Sequence, residues 1–98
     1  MNLDQKVYKK LLEVPKGKVT TYAQLANAVG LKNGQRAIGR IMNKNPFPVI
    51  VPCHRVILSN GKIGGYAWGT KVKTKMLSKE GIKIKNGKIL DKDKIYKF

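Results

Sequence analysis

The sequence holds one cysteine, Cys53, and one histidine, His54, in 98 residues. A lone thiol cannot close an internal disulfide, which fits a reducing compartment, and two soft ligands are too few for a structural zinc site. Acids are scarce as well: five Asp and Glu stand against 21 Lys and Arg, for a net charge of +16. Such a field draws polyanions through phosphate contact and counterion release, so nucleic acid is the leading partner. No helical stretch sets a broad apolar face against an all-basic one, which makes an anionic membrane surface the poorer fit. No apolar run exceeds three residues, as in Val49 to Val51 between two prolines, far below the ~20 residues of a membrane span. The start MNLDQKVYKK has no signal-peptide core. The expectation is a cytoplasmic monomer without membrane contact, in which residues 1–98 form one domain with no separate N-terminal domain.

What is present reads as a short chain of amphipathic helices. Val7, Tyr8, Leu11 and Leu12 mark one face of a first helix, capped by Asn2 and stopped by Pro15 and Gly17. Lys18 to Thr20 reads as extended. Thr21 caps a second helix whose Tyr22, Leu25, Ala26 and Val29 recur at helical spacing, and Gly30 ends it. Asn33 is placed to cap a third helix to about Met42, with Ala37, Ile38, Ile41 and Met42 inward and Arg36, Arg40 and Lys44 outward. Two short helices about a Gly-containing turn form a helix-turn-helix pattern. Asn45-Pro46-Phe47-Pro48 is a rigid link, Val49 to Leu58 the expected core, and Thr70 the start of a fourth helix whose inward residues are Val72, Met76 and Leu77, ending at Gly81. Asn86-Gly87 between Ile82–Lys85 and Lys88–Leu90 is a strong hairpin signal. The fold class expected is mostly α with a small β hairpin, a winged helix-turn-helix DNA-binding domain.

The distinctive chemistry lies in Pro52-Cys53-His54-Arg55-Val56. Cysteine attacks as the thiolate, a minor form of an ordinary thiol at neutral pH, and a histidine steadied by an acid can promote it. Taken alone, a cysteine in an apolar run is more often a small buried hydrophobe than a nucleophile.

This pentapeptide resembles the active-site signature of the O6-alkylguanine-DNA alkyltransferases, also called methylated-DNA-protein-cysteine methyltransferases. Thr21-Tyr22-Ala23-Gln24-Leu25-Ala26 resembles their entry into the helix-turn-helix, Gln35-Arg36-Ala37-Ile38-Gly39 their recognition helix, and Asn45-Pro46-Phe47-Pro48 their asparagine hinge. Gly61-Lys62-Ile63-Gly64-Gly65-Tyr66 resembles the active-site loop and Lys79-Glu80-Gly81 the acid closing the last helix. The resemblance implies Cys53 as alkyl acceptor, His54 as water-linked base, Glu80 as the acid orienting it, Asn45 as brace, and Tyr22 as proton donor toward guanine. It implies Arg36 as the finger that fills the stack left by a flipped base. Gly34, Gln35, Ala37, Gly39 and Arg40 complete the DNA-contacting set, the small residues letting the helix backbone approach a minor groove. Tyr66, Ala67, Trp68, Lys73 and Val56 belong to the substrate pocket. The partner implied is double-stranded DNA containing O6-alkylguanine. No cofactor or metal is implied, and a thioether with no easy reversal makes each molecule act once.

Two departures stand out. Members of the family commonly carry a domain before this one, and Ala67 stands where many have a serine that bonds the alkylated oxygen. Alkyltransferase-like proteins, which flip the lesion without accepting the alkyl group, typically replace the cysteine; Cys53 speaks against that alternative. A winged-helix transcription regulator would leave Pro52 to Val56 and Glu80 without a purpose.

Overall fold

The computed structural model describes residues 2–45, 51–66 and 68–98. Helix α1 spans Leu3–Leu11 and opens on a capping box: the Asn2 side chain accepts from Gln5 N at 2.9 Å while Asn2 N donates to Gln5 Oε1 at 3.2 Å. Its buried stripe is Val7 and Leu11. The helix ends before Pro15, through tight-turn bonds from Glu13 N to Lys10 O and from Val14 N to Leu11 O. Leu12 is therefore turned out, 57% exposed, and Val14 takes the core position expected of it.

Strand β1 (Thr20–Thr21) runs directly into helix α2 (Tyr22–Ala28), whose Gln24 N is capped by Thr21 Oγ1 at 3.0 Å. Gly30 closes α2 at φ +83°, a left-handed conformation that a side chain would strain. Helix α3 (Gln35–Asn43) follows after a short turn. The turn corrects one expectation: Asn33 sits inside it at φ +52° and Gly34 is the N-cap, with no side-chain cap bond. A Cβ on Gly34 would lie 2.7 Å from Leu31 Cβ and 3.2 Å from Ala26 Cβ. The position is fixed by how closely α3 approaches α2. The two helices form the expected helix-turn-helix.

A 3-10 turn, Cys53–Arg55, leads into β2 (Val56–Ile57), which pairs in parallel with β1 through Thr20 opposite Val56 and Thr21 opposite Ile57. Local signals did not reveal this pairing. On the outer side of β1, Val19 bridges Ile95, with Val19 N donating to Lys94 O at 2.9 Å and Tyr96 N to Val19 O at 2.6 Å. Helix α4 spans Thr70–Lys79; β3 (Ile84–Lys85) and β4 (Lys88–Ile89) form the expected hairpin, and a second 3-10 turn covers Lys92–Lys94. Asn86 and Gly87 both have positive φ, as a type I′ turn demands. The inward face of α4 is shifted from the one expected. Lys73 and Leu77 are buried, Val72 is exposed and Met76 only partly covered.

Two apolar clusters flank these strands. One gathers Val7, Leu11, Val14, Leu25, Ala26, Ile38, Ile41 and Met42 with Val51, Cys53 and Val56. The other gathers Val19, Ile57, Ile63, Leu77, Ile82 and Ile89. Val56 and Ile57, adjacent in β2, point into different clusters, as strand alternation requires. Of the expected core run, Val51 to Ile57 is largely buried and Leu58 is at the surface, while Val49 and Ile50 lie outside the described residues, as does the Pro46 to Pro48 link.

The Gly34 contact yields a test. Gly34→Ala should lower unfolding stability by about 1–3 kcal/mol, seen as an earlier denaturant midpoint at unchanged slope. An unchanged midpoint would mean that the turn between α2 and α3 absorbs a methyl group freely.

Candidate active site and nucleic-acid interface

The backbone carries Cys53 and His54 into the interior together. Cys53 N donates to Val51 O at 2.7 Å and Arg55 N to Pro52 O at 2.9 Å, a tight turn that leaves Cys53 6% and His54 1% exposed. Just before it, Asn45 Nδ2 donates to Val51 O at 3.0 Å, tying the end of α3 to the approach to the cysteine. Asn45 thus occupies a bracing position.

His54 Nε2 lies 3.0 Å from Glu80 Oε2 at the C-terminal end of α4. A carboxylate only accepts, so Nε2 carries the hydrogen and Nδ1 holds the lone pair. Nδ1 is buried and has no hydrogen-bond partner among the described residues. Burial holds His54 below its usual pKa of 6.5 against the pull of Glu80, so the ring is neutral at physiological pH.

Arg55 is the functional side chain that the sequence reading passed over. Its Nε donates to Glu80 Oε1 at 2.9 Å, its Nη2 to Glu80 Oε2 at 2.7 Å, and its Nη1 to Val14 O at 3.0 Å. Burial alone would raise the Glu80 carboxyl, but the bonds from Arg55 and His54 outweigh it and bring the group below its ordinary value. Glu80 is therefore ionised wherever the protein is folded at neutral pH. Only the adjacency of Arg55 to His54 could have signalled this, because its partners stand 25 and 41 residues away.

Around the thiol, Tyr8, Tyr22 and Tyr66 all have raised pKa values, each first through burial and then through charge at neighbouring groups that include Cys53. Tyr66 is pushed up to about 12 by burial first, then by the charge of the Cys53 thiolate and by hydrogen bonding with Cys53, so its buried hydroxyl faces the sulfur. All three phenols stay protonated. Tyr8, read from sequence as a core residue of α1, donates to Ile41 O at 3.1 Å and so adjoins both α3 and the thiol. Lys73 is fully buried and donates to Val56 O at 2.7 Å and Gly65 O at 3.0 Å, strapping the loop after Ile63 to the end of the cysteine turn. Burial lowers its pKa to about 8.

The rings of Tyr66 and His54 meet edge to face with centroids 6.4 Å apart, and Trp68, 53% exposed, makes a second edge-to-face contact with Tyr66 at 5.8 Å. Val56 is fully buried behind the thiol. Ala67 lies outside the described residues. A cleft of about 330 Å³ opens between α3 and the loop, lined by Tyr22, Gln35, Arg36, Gly39, Leu58, Ser59 and the Gly64–Gly65 pair. Arg36 and Arg40 are exposed, Ala37 is half-buried, and a Cβ at Gly39 would meet open space. Gly34 differs from the other small residues of this helix in facing inward, against Leu31. Among the described residues no group of three His, Cys, Asp or Glu could hold a metal.

Residues 2–82 match the family model described as the DNA-binding domain of 6-O-methylguanine DNA methyltransferase. The chain belongs to this family. Among its relatives named methylated-DNA-protein-cysteine methyltransferase, that of Candida glabrata is 42% identical over 93 residues, covering 94% of this chain and 45% of its own length. That of Saccharolobus solfataricus is 49% identical over 78 residues, covering 80% of this chain and 50% of its own. The chain spans about half the length of these relatives. In three dimensions, Mycobacterium tuberculosis OGT in complex with DNA matches 83% of the chain and 49% of its own at TM-score 0.80 and 38% identity. S. pombe Atl1 in complex with damaged DNA containing O6-carboxymethylguanine matches 100% of both chains at TM-score 0.85 and 32% identity. This methyltransferase-family chain is mostly helical, with a helix-turn-helix and small sheets. No helix among its described residues is long and apolar enough to cross a membrane.

The Arg55–Glu80 grip makes a pH-dependent contribution to stability. Because the folded Glu80 pKa lies below its ordinary value of 4.5, the contribution is complete above that pH and is lost as pH falls through the folded value. Arg55→Ala should cost about 3 kcal/mol at neutral pH, since it strands a largely buried carboxylate. The deficit should narrow as Glu80 is protonated. Denaturant unfolding of both proteins across the acid range measures it; a deficit constant with pH would show that charge pairing with Glu80 is not its source.

Proposed function

We propose that this chain repairs DNA by moving a methyl or larger alkyl group from the O6 of guanine onto Cys53 Sγ, once per molecule. The observation that carries this reading is the burial of Cys53 and His54 side by side in one tight turn, with His54 neutral, its Nε2 held by Glu80 and its Nδ1 without a partner among the described residues. His54 Nδ1 takes the thiol proton through a water, and the imidazolium so formed favours the thiolate. The thiolate attacks the alkyl carbon in line. The carbon–oxygen bond breaks, its electrons pass into the guanine ring, and the protonated Tyr22 phenol donates to that ring as the base leaves. Tyr22 regains a proton through solvent from His54, so guanine departs neutral and the protein keeps a thioether. Neither cofactor nor metal enters this chemistry.

The target base is stacked inside a duplex and must be rotated into the cleft beside Tyr22, which costs stacking energy. Arg36, on the exposed first turn of α3 at the rim of that cleft, fills the vacated stack. The open space at Gly39 lets α3 lie close to a minor groove, with Gln35, Ala37 and Arg40 beside it. Tyr66, Trp68, Lys73 and Val56 are not part of the cleft lining; with Ala67 they are assigned to the substrate pocket by resemblance alone, and Asn45 keeps α3 in register with the cysteine turn. The partner is double-stranded DNA bearing O6-alkylguanine, consistent with the complexes of the M. tuberculosis and S. pombe neighbours. On this reading residues 1–98 act as one monomeric unit inside the cell. The full-length match to S. pombe Atl1 favours a second reading, a DNA-damage sensor that binds without transferring.

Intact mass after incubation with a methylated duplex separates the two. The chain should gain one methyl group, and Cys53→Ser should gain none while still binding the duplex, because phosphate contacts lie elsewhere. Binding without any mass gain would establish the sensor instead. A companion variant tests the flipping role. Arg36→Ala should slow repair in duplex DNA by about tenfold or more, as loss of about 1.4 kcal/mol of compensation predicts, and leave transfer from the free modified base unchanged. Equal slowing on both substrates would remove Arg36 from that role.

A further inference from the structure

The wing carries a feature that alkyl transfer leaves unused. Lys62 bridges Lys88 across an antiparallel pair, and Lys88 stands opposite Lys85 across the Asn86-Gly87 turn. Directly opposed residues share a face with Cβ atoms about 5 Å apart, so three lysines lie in a row over three adjacent segments. All three are exposed, and none has an ion pair among the described residues. Like charges set directly opposite each other weaken a hairpin. The arrangement asks for an anion to cover it.

Strand alternation fixes the side on which the row lies. Ile63 and Ile89 point into the cluster with Leu77 of α4, so their neighbours Lys62 and Lys88 point away from α4. Val56 and Ile57 enter opposite clusters, which puts Leu58 on the Val56 side, where it lines the cleft with Tyr22 and Arg36. Leu58 N donates to Lys62 O at 2.9 Å, so Lys62 begins across from the cleft wall. The row starts at the cleft rim and runs outward over the hairpin. Lys85 and Lys88 fall beyond the residues 2–82 matched by the family model.

We propose that Lys62, Lys88 and Lys85 form a second DNA-contact surface, gripping backbone phosphates that flank the nucleotide entering the cleft. Two inter-strand steps of about 4.8 Å span ~10 Å, and one DNA strand places a phosphate about every 3.4 Å along the axis. Two to three phosphates fall within reach of the row. The proposal rests on the DNA-binding part of the function above and is independent of whether Cys53 accepts an alkyl group.

The test compares two charge-matched variants by fluorescence anisotropy on an unmodified duplex over a range of salt. One replaces Lys62, Lys85 and Lys88 with Gln; the other replaces Lys71, Lys75 and Lys79, which lie on α4 across the sheet. The wing variant should flatten the plot of log affinity against log salt by about two to three units, near 0.9 for each phosphate released, and the α4 variant by much less. The wing variant should melt no lower than wild type without DNA, because removing opposed like charges does not weaken the hairpin. Transfer from the free modified base, read by intact mass, should match wild type in both variants. A slope equal to wild type, or one flattened equally by the α4 variant, overturns the proposal, and a preference for an acidic protein over DNA that disappears in the wing variant would do so too.

Discussion

Glu80 stands at the end of α4 with its carboxylate almost out of water, in a chain that carries four other acids and 21 bases. A buried carboxylate is tolerable only if donors replace the lost hydration. Arg55 and His54 supply them, and both belong to the turn that holds Cys53. Arg55 reaches on to Val14 O behind α1. One charge-neutralising contact thereby joins the exit of α1, the cysteine turn and the last helix. The same contact sets the ring orientation of His54 and leaves its unprotonated nitrogen as the only side free to act as a base.

The remaining architecture brings side chains of the helix-turn-helix to that turn. The parallel pairing of β1 with β2 places Tyr22, the first residue of α2, beside the thiol, because the chain passes from β1 into α2 without a loop. Asn45 ties α3 to Val51, and Lys73 ties the loop at Gly65 to Val56. Each tether ends within three residues of Cys53. The position of α3 and that of the loop at Gly65 are thereby both tied to the turn that holds Cys53.

Legibility in the sequence followed the range of the interaction. Asn2, Thr21 and Asn86-Gly87 announce caps and a turn because their partners lie within a few residues. The helix-turn-helix and hairpin were readable for the same reason. Asn33 misled, since a good capping side chain lost to the tight approach of α3 on α2, which only glycine at position 34 permits. Helical periodicity gave no sign that Lys73 is buried, because its burial depends on two carbonyls from distant segments, and only resemblance assigned the residue to the pocket. The grip of Arg55 on Glu80 and the pairing of β1 with β2 are long-range and left no local trace. Cys53, His54 and Glu80 were legible as a set through resemblance rather than spacing, and the structure places the last two in contact.

The central claim is that Cys53 is activated by His54 and Glu80 acting as one unit. Single-turnover transfer rates across pH, for wild type, His54→Ala, Glu80→Gln and the double variant, test it most directly. The account predicts that each single variant is slow at neutral pH, that the double is little slower than the worse single, and that all three recover part of the loss as rising pH ionises thiols without assistance. Losses that multiply in the double variant, or deficits that do not shrink at high pH, would contradict it.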